Sequence, residues 1–434
     1  MRFTDTRNRN VSVSFQQAIF TGLAESGGLY YADKNPDLSQ LFDSFTPQTS
    51  FNEIATATAY AFLGDELTET QVGDIVQSAF HFEPKLNRLG NNLILLELFH
   101  GPSLSFKDFG ASFLAASMEA FLGKQSRHAV ILTATSGDTG SAVAQAFYKK
   151  ANIDVVILYP SEKVSPLQEK QLTTLGENIH ALEVRGTFDD CQRLVKNAFG
   201  NTNLRKSLNL TSANSINLGR LTAQTFYYIW ARSQLKTPKS EADDLTFTVP
   251  SGNFGNLTGG VWAHLCGLPV KKFIAAVNAN RVFLDYLETG EFKPQPSIAT
   301  YSNAMDVGNP SNFERLLAIY ESVDNMRKEI ESYSVNSRET IKAISSVYEK
   351  TQQFICPHTA VGIVASYLHL KKQPGKIVSL ATAHPAKFAD LIEKALNVTV
   401  PLPTSLKKIQ ALPKIAEKID ADDEALAAFL EKLK

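Results

Sequence analysis

Lys107 is the residue of this 434-residue chain best placed for covalent chemistry. It lies in the segment His100 to Gly110 (HGPSLSFKDFG), among Leu104, Phe106 and Phe109, where a helical pattern begins. Apolar neighbours desolvate an amine, and desolvation favours the neutral form that attacks an aldehyde to give a Schiff base. The competing reading is a lysine whose stem packs on aromatics while its head reaches water. Two loops further along favour the reactive reading. In the first, Ala129 to Leu132 reads as a buried strand, Ser136 to Gly140 as a turn, and an alanine-rich helix follows to about Lys150. Such a turn offers an anion the free N–H groups of a helix N-terminus. In the second, a strand ending near Pro250 runs into SGNFGN (Ser251 to Asn256) and then a helix to about Cys266. Gly252 and Gly255 let the backbone approach a ligand, and the N–H groups from Gly252 through Asn253, Phe254 and Asn256 can wrap one phosphate.

The second loop matches neither the nucleotide-triphosphate nor the dinucleotide glycine pattern. A reactive lysine beside a compact phosphate cup points instead to pyridoxal 5′-phosphate. A third segment, Ser212 to Arg220 (SANSINLGR), follows a strand and opens a helix running to about Leu235. Asn214, Ser215 and Arg220 there could clamp a second phosphate, since an arginine fork with an amide and a hydroxyl suits that anion. A helix cap plus a surface arginine is the competing reading. Thr382 follows a strand (Ile377 to Ala381), where its hydroxyl could face a ligand; a helix cap before Pro385 is the competing reading.

These segments in this order resemble threonine synthase, of the longer type with an extra N-terminal region. The resemblance rests on His100 to Gly110, Thr133 to Gly140 (TATSGDTG), Ser212 to Arg220, Pro250 to Asn256 and Thr382 to Phe388 (TAHPAKF), with GGLYY at Gly27 to Tyr31. It spans about Ser12 to about Leu402. It implies that Lys107 carries pyridoxal phosphate, that Gly252 to Asn256 hold the cofactor phosphate, and that the Thr382 hydroxyl faces the pyridine nitrogen. It also implies that Asn214, Ser215 and Arg220 take the substrate phosphate, while Ser136, Gly137, Asp138 and Thr139 take the substrate carboxylate. Many related enzymes of this fold have asparagine where Asp138 stands, and a carboxylate cannot donate to an anion. The role of Asp138 is therefore open. His358 and His384 could serve as acid–base groups near neutral pH, but each also reads as a structural histidine at a turn.

The implied reaction is O-phospho-L-homoserine plus water giving L-threonine plus phosphate. A phospholyase that eliminates phosphate and releases 2-oxobutyrate would keep the same five motifs. A non-catalytic phospho-ligand sensor would not need the lysine.

At this length two or three domains are expected. Charged residues make up 20% and net charge is −1, so nucleic acid and anionic membrane are not expected partners. No apolar run approaches a membrane span. Cys191, Cys266 and Cys356 are scattered and odd in number, which suits free thiols in a cytoplasmic enzyme, and no metal-ligand spacing is seen.

Helical patterns at Ser14–Leu23, Phe51–Leu63 and Thr68–Phe80 make the N-terminal region mainly helical. From Asn92 strands and helices alternate, including the helices Ser165–Leu175 and Phe188–Phe199, so mainly parallel sheets covered by helices are expected. The predicted fold is therefore α/β, with two strand–helix domains and the cofactor in the cleft between them. The expected divisions are an N-terminal region 1–85, a large cofactor-binding domain 86–110 and 215–402, a small domain 111–214, and a helical tail 403–434. A monomer or homodimer is expected.

Overall fold

The structure is a computed structural model that describes residues 1–123, 128–135, 137–161, 164–236 and 245–433. The N-terminal region opens with strands β1 (Phe3–Asp5), β2 (Asn8–Val13) and β3 (Tyr30–Ala32), an antiparallel sheet that the helical pattern did not reveal. Its three expected helices are present as Phe15–Thr21, Phe51–Leu63 and Glu69–Ala79. Each starts at a capping box. In the second, for example, Ser50 accepts from the Glu53 N–H while Glu53 accepts from the Ser50 N–H.

Strands then follow as β4 (Lys85–Arg88), β5 (Leu93–Glu97), β6 (Ala129–Ala134), β7 (Ile153–Pro160), β8 (Ile179–Arg185) and β9 (Leu210–Thr211). The later ones are β10 (Leu245–Pro250), β11 (Lys272–Val277), β12 (Ile330–Ser334), β13 (Lys376–Ala381) and β14 (Glu417–Asp420). They form two further sheets. The larger has the order β12-β11-β10-β13-β5-β4, parallel except for β4. The smaller, β14-β8-β7-β6-β9, is wholly parallel. Buried Val, Ile and Leu fill the strand interiors, as a sheet covered on both faces requires. The intervening helices begin where local chemistry sets them: Ser165 caps Pro166–Thr173, with Pro166 at its first position.

One expectation needs correction. Residues 403–434 are not wholly helical: between the helices Thr404–Gln410 and Asp423–Glu431 lies β14, which pairs parallel with β8. Leu426 and Leu430 are buried in the same core as Leu182 and Val184. Four residues of mixed polarity carry little strand signal alone; the open edge of β8 supplies their partners.

The parallel topology decides where the loops meet. The motif after β5, the turn after β6, the segment after β9, the glycine loop after β10 and Thr382 after β13 all emerge from the carboxyl ends of parallel strands. That is where ligands bind in open α/β sheets. The N-terminal helices buttress this arrangement. Phe51, Phe80 and Phe82 pack edge-on or tilted against Phe109, two residues beyond Lys107, at ring-centre distances of 5.3, 5.9 and 5.0 Å. A fully buried phenylalanine contributes about 1.5–3 kcal/mol, so the lysine helix (Lys107–Leu122) is held by a substantial apolar clamp.

Candidate active site

The lysine motif is fastened to the end of β13. Phe106 N–H donates to the Thr382 carbonyl at 2.9 Å, and His384 N–H donates to the Leu104 carbonyl at 3.0 Å. Ser105 and Ala383 form an antiparallel bridge between them. Leu104 takes a left-handed backbone (φ 59°), uncommon for a branched residue and sustained by these bonds. The result places Lys107 and Thr382 in one cleft of about 550 Å³.

That cleft is also lined by Gly137, Asp138, Thr139, Asn214, Ser215, Arg220, and Gly252 through Asn256. Every residue expected to bind cofactor or substrate, among the described residues, thus lines one cavity, and so does His358, whereas His384 does not. The Ser136 expectation falls outside the described residues.

The glycine loop fits a phosphate cup. Phe254 is left-handed (φ 58°) and the helix Gly255–Leu265 starts directly after it. A Cβ at Gly252 would come within 2.8 Å of the Met305 Cα, so only glycine fits there. The two loop asparagines have their side chains engaged within the scaffold. Asn256 donates to the Pro250 carbonyl at 2.9 Å and accepts from the Ser251 hydroxyl; Asn253 accepts from Ser311 N–H at 3.1 Å. This bracing leaves the backbone N–H groups as the loop's natural anion donors.

The segment expected to clamp a second phosphate is built around a buried arginine. Asn217, rather than Asn214 or Ser215, caps the helix Leu218–Leu235, accepting from Gly219 N–H at 3.0 Å. Arg220 is only 2% exposed, so the surface-arginine reading is excluded. It reaches the cleft because Gly110 lets the lysine helix approach closely: a Cβ there would sit 3.0 Å from the Arg220 carbonyl. One guanidinium nitrogen donates to the Ala213 carbonyl at 2.8 Å, while Nε is buried with no hydrogen-bond partner among the described residues. Burial lowers the Arg220 pKa to about 10, so it remains a cation at neutral pH. Buried donors of this kind are costly unless an anion satisfies them.

Lys107 keeps 14% of its side-chain surface, and burial pushes its amine down to about 8 against a partial opposing pull from Asp138. Asp138 Oδ2 lies 3.7 Å from Lys107 Nζ. Its other oxygen accepts from Lys387 at 2.6 Å and from Gln168 at 3.1 Å. Burial alone would raise this carboxyl, but the charges of Lys387 and Lys107 outweigh it and hold Asp138 well below the usual carboxylate range. Asp138 is therefore a counter-ion to lysines.

Each of the two candidate histidines accepts one backbone N–H. His384 caps the short helix Pro385–Phe388, accepting from Ala386 N–H at 3.1 Å, which removes the capping reading for Thr382. His358 accepts from Ala304 N–H at 3.2 Å. Burial lowers both to about 4, so both are neutral near pH 7.

Three residues escaped the sequence reading. Lys387 lies inside the TAHPAKF motif, where no local pattern marks it. Arg315 is fully buried and binds the carbonyls of Tyr30 (2.8 Å) and Ile216 as well as Asn312. Asn312 in turn donates its side-chain amide to the Ser215 carbonyl at 3.2 Å and its backbone N–H to the Asn253 carbonyl at 3.1 Å while accepting from Arg315, tying both loops to the N-terminal region. No local pattern marks such a hub.

A desolvated lysine, a glycine phosphate loop and a cleft at parallel-strand ends define a pyridoxal-phosphate-dependent enzyme. A family model described as pyridoxal-phosphate dependent enzyme matches residues 77–383. Models for the threonine synthase N terminus and C-terminal part match 2–80 and 359–430. The threonine synthase of Haemophilus influenzae is 40% identical, with both chains covered in full. The crystal structure of the Escherichia coli threonine synthase superposes with a TM-score of 0.90 at 39% identity, covering 100% of each chain. A pyridoxal-phosphate-bound threonine synthase from Brucella melitensis gives a TM-score of 0.94 at 32% identity, covering 100% of this chain and 99% of its own. The chain belongs to the threonine synthase family.

Proposed function

We infer that this cleft converts O-phospho-L-homoserine and water to L-threonine and phosphate. The observation that carries the reading is the pairing of two anion sites across one lysine: the glycine loop, and the buried Arg220 whose Nε lacks a protein partner. One phosphate belongs to the cofactor, and the second site calls for a phosphorylated substrate.

Pyridoxal phosphate held on Lys107 supplies the electron sink that stabilises negative charge on the substrate carbons. The protein's groups divide the remaining work. The N–H groups of Gly252 to Asn256 would bind the cofactor phosphate, and the Thr382 hydroxyl would hydrogen-bond the ring nitrogen. A hydroxyl there would not hold that nitrogen protonated as a carboxylate would, a weaker sink that suits elimination. Lys107, once free, moves protons at the substrate's α and β carbons as a neutral amine. Arg220, Asn214 and Ser215 hold the phosphate that leaves from the γ carbon. The N–H groups of Asp138 and Thr139 and the Thr139 hydroxyl orient the substrate carboxylate at the helix N-terminus. The small domain, 111–214, closes on the remainder to exclude stray water before addition at the β carbon. The enzyme works in the cytoplasm as a monomer or homodimer; no described helix is long and apolar enough to cross a membrane.

Product analysis tests the reading. Purified protein loaded with cofactor should release threonine and phosphate in equal amounts from O-phospho-L-homoserine, and should turn over homoserine far more slowly. Release of 2-oxobutyrate with ammonia in place of threonine would overturn it.

A further inference from the structure

Lys387 is an expensive residue to bury. Its side chain has no exposed surface, and its ammonium donates to Asp138 Oδ1 at 2.6 Å and to the Ser103 carbonyl at 2.8 Å. Buried ion pairs are weak contributors to stability, because desolvating two charges offsets most of their attraction. A methionine and a neutral partner would fill this space at less cost. The position of the pair suggests another reason for it: the same carboxylate faces Lys107 at 3.7 Å.

The charges can be followed through the cycle. An isolated Asp138 beside Lys107 would form an ion pair and keep the amine protonated, and a protonated amine is no nucleophile. With Lys387 present, Asp138 is already paired. Loss of the Lys107 proton then leaves a balanced Asp138–Lys387 pair, so the neutral amine coincides with local neutrality. The other groups facing this cluster fit the same balance. Arg220, on the helix Leu218–Leu235, disfavours a second cation at Lys107. Asp108, beside Lys107 in sequence, faces both Lys387 and Arg220. His358, on the helix Pro357–Leu370, is neutral.

We propose that Lys387 is a positioning residue that acts through Asp138: it keeps the carboxylate ionised and shares its charge, so that Lys107 can release its proton near neutral pH. The proposal rests on Lys107 as the cofactor lysine and is independent of which phosphorylated amino acid is the substrate. It also accounts for aspartate standing at position 138, since the carboxylate is paired with a lysine of its own.

The test is a titration in the full-length chain. The Lys107 amine is followed by carbon-13 NMR in protein freed of cofactor, and the visible absorbance of the loaded protein is followed against pH. Lys387→Met should raise the Lys107 pKa by about one unit or more, the usual effect of an unshared opposite charge at this distance. Asp138→Asn should lower it. The double variant should return towards the wild-type value. A purely structural Lys387 would cost stability without shifting the two single variants in opposite directions. An unchanged or lowered pKa in Lys387→Met overturns the proposal. If that variant fails to fold, the charge-free double variant decides: a value that stays at that of Asp138→Asn overturns the proposal, and a return towards wild type supports it. Product analysis fails or succeeds independently of these titrations.

Discussion

Phe106 and Thr382 share a backbone hydrogen bond of 2.9 Å, which makes the lysine motif and the end of β13 a single rigid unit. The Lys107 amine and the Thr382 hydroxyl therefore do not depend on side-chain packing alone for their spacing. Their separation is fixed by main chain on both sides, through the Ser105–Ala383 bridge and the His384–Leu104 bond.

The first prediction follows from the depressed Lys107 amine. Its folded pKa, about 8, lies below the ordinary 10.5, so the neutral form becomes dominant above about 8. The rate at which cofactor-free protein captures pyridoxal phosphate should rise with pH through about 8 and then level off. An inflection above pH 10 would show an unperturbed lysine. Lys107→Ala should fold yet show no borohydride-reducible yellow band, and its turnover should fall by more than about a thousandfold.

Arg220 should matter most for phosphate binding. A hydrogen-bonded charged group contributes about 1.5–3 kcal/mol, so Arg220→Ala should lower kcat/KM for O-phosphohomoserine by about 10- to 100-fold. Inhibition by inorganic phosphate should weaken in parallel. Steady-state kinetics with added phosphate measure both, and undiminished phosphate inhibition would remove Arg220 from the clamp.

The buried histidines set an acid limit on stability. His358 and His384 have folded pKa values of about 4, below the ordinary 6.5, so the unfolded chain binds more protons in that interval. Stability should therefore fall as pH drops from about 6.5 to about 4 and be level in this respect above it. His358→Gln can still accept from Ala304 N–H and should flatten the decline. Thermal melts of both proteins across this range give the comparison, and parallel slopes would count against the assignment.

The C-terminal strand should be structural. Removing 411–434 strips β14 from β8 and uncovers the core around Leu182 and Val184 that Leu426, Phe429 and Leu430 cover. Losing three such side chains costs about 5 kcal/mol, and an open strand edge invites association. The truncated protein should melt markedly lower and aggregate as concentration rises, as calorimetry and light scattering would show. An unchanged melting temperature would mean that β14 adds nothing to the sheet.

Local chemistry explains what was legible in the sequence. The helix Phe51–Leu63 was readable because Ser50, Glu53 and a helical apolar period act within a few residues of one another. The two anion loops were readable because glycine, hydroxyl and capping residues must be contiguous to form them. Alternation of strands and helices likewise announced parallel sheets. The tertiary structure alone decided which edges and charges met. β14 exists because β8 has an unpaired edge, and nothing in Glu417–Asp420 specifies that partner. Arg315 gains its carbonyl partners at Tyr30 and Ile216 only once three distant segments are packed together. The same holds for Lys387. As a lysine between alanine and phenylalanine it has no distinguishing pattern, and it becomes a buried partner of Asp138 only when the end of β13 folds against the turn after β6. Backbone bonding and capping are short-range and leave their mark on neighbouring letters, whereas desolvation and ion pairing depend on what the rest of the chain brings near.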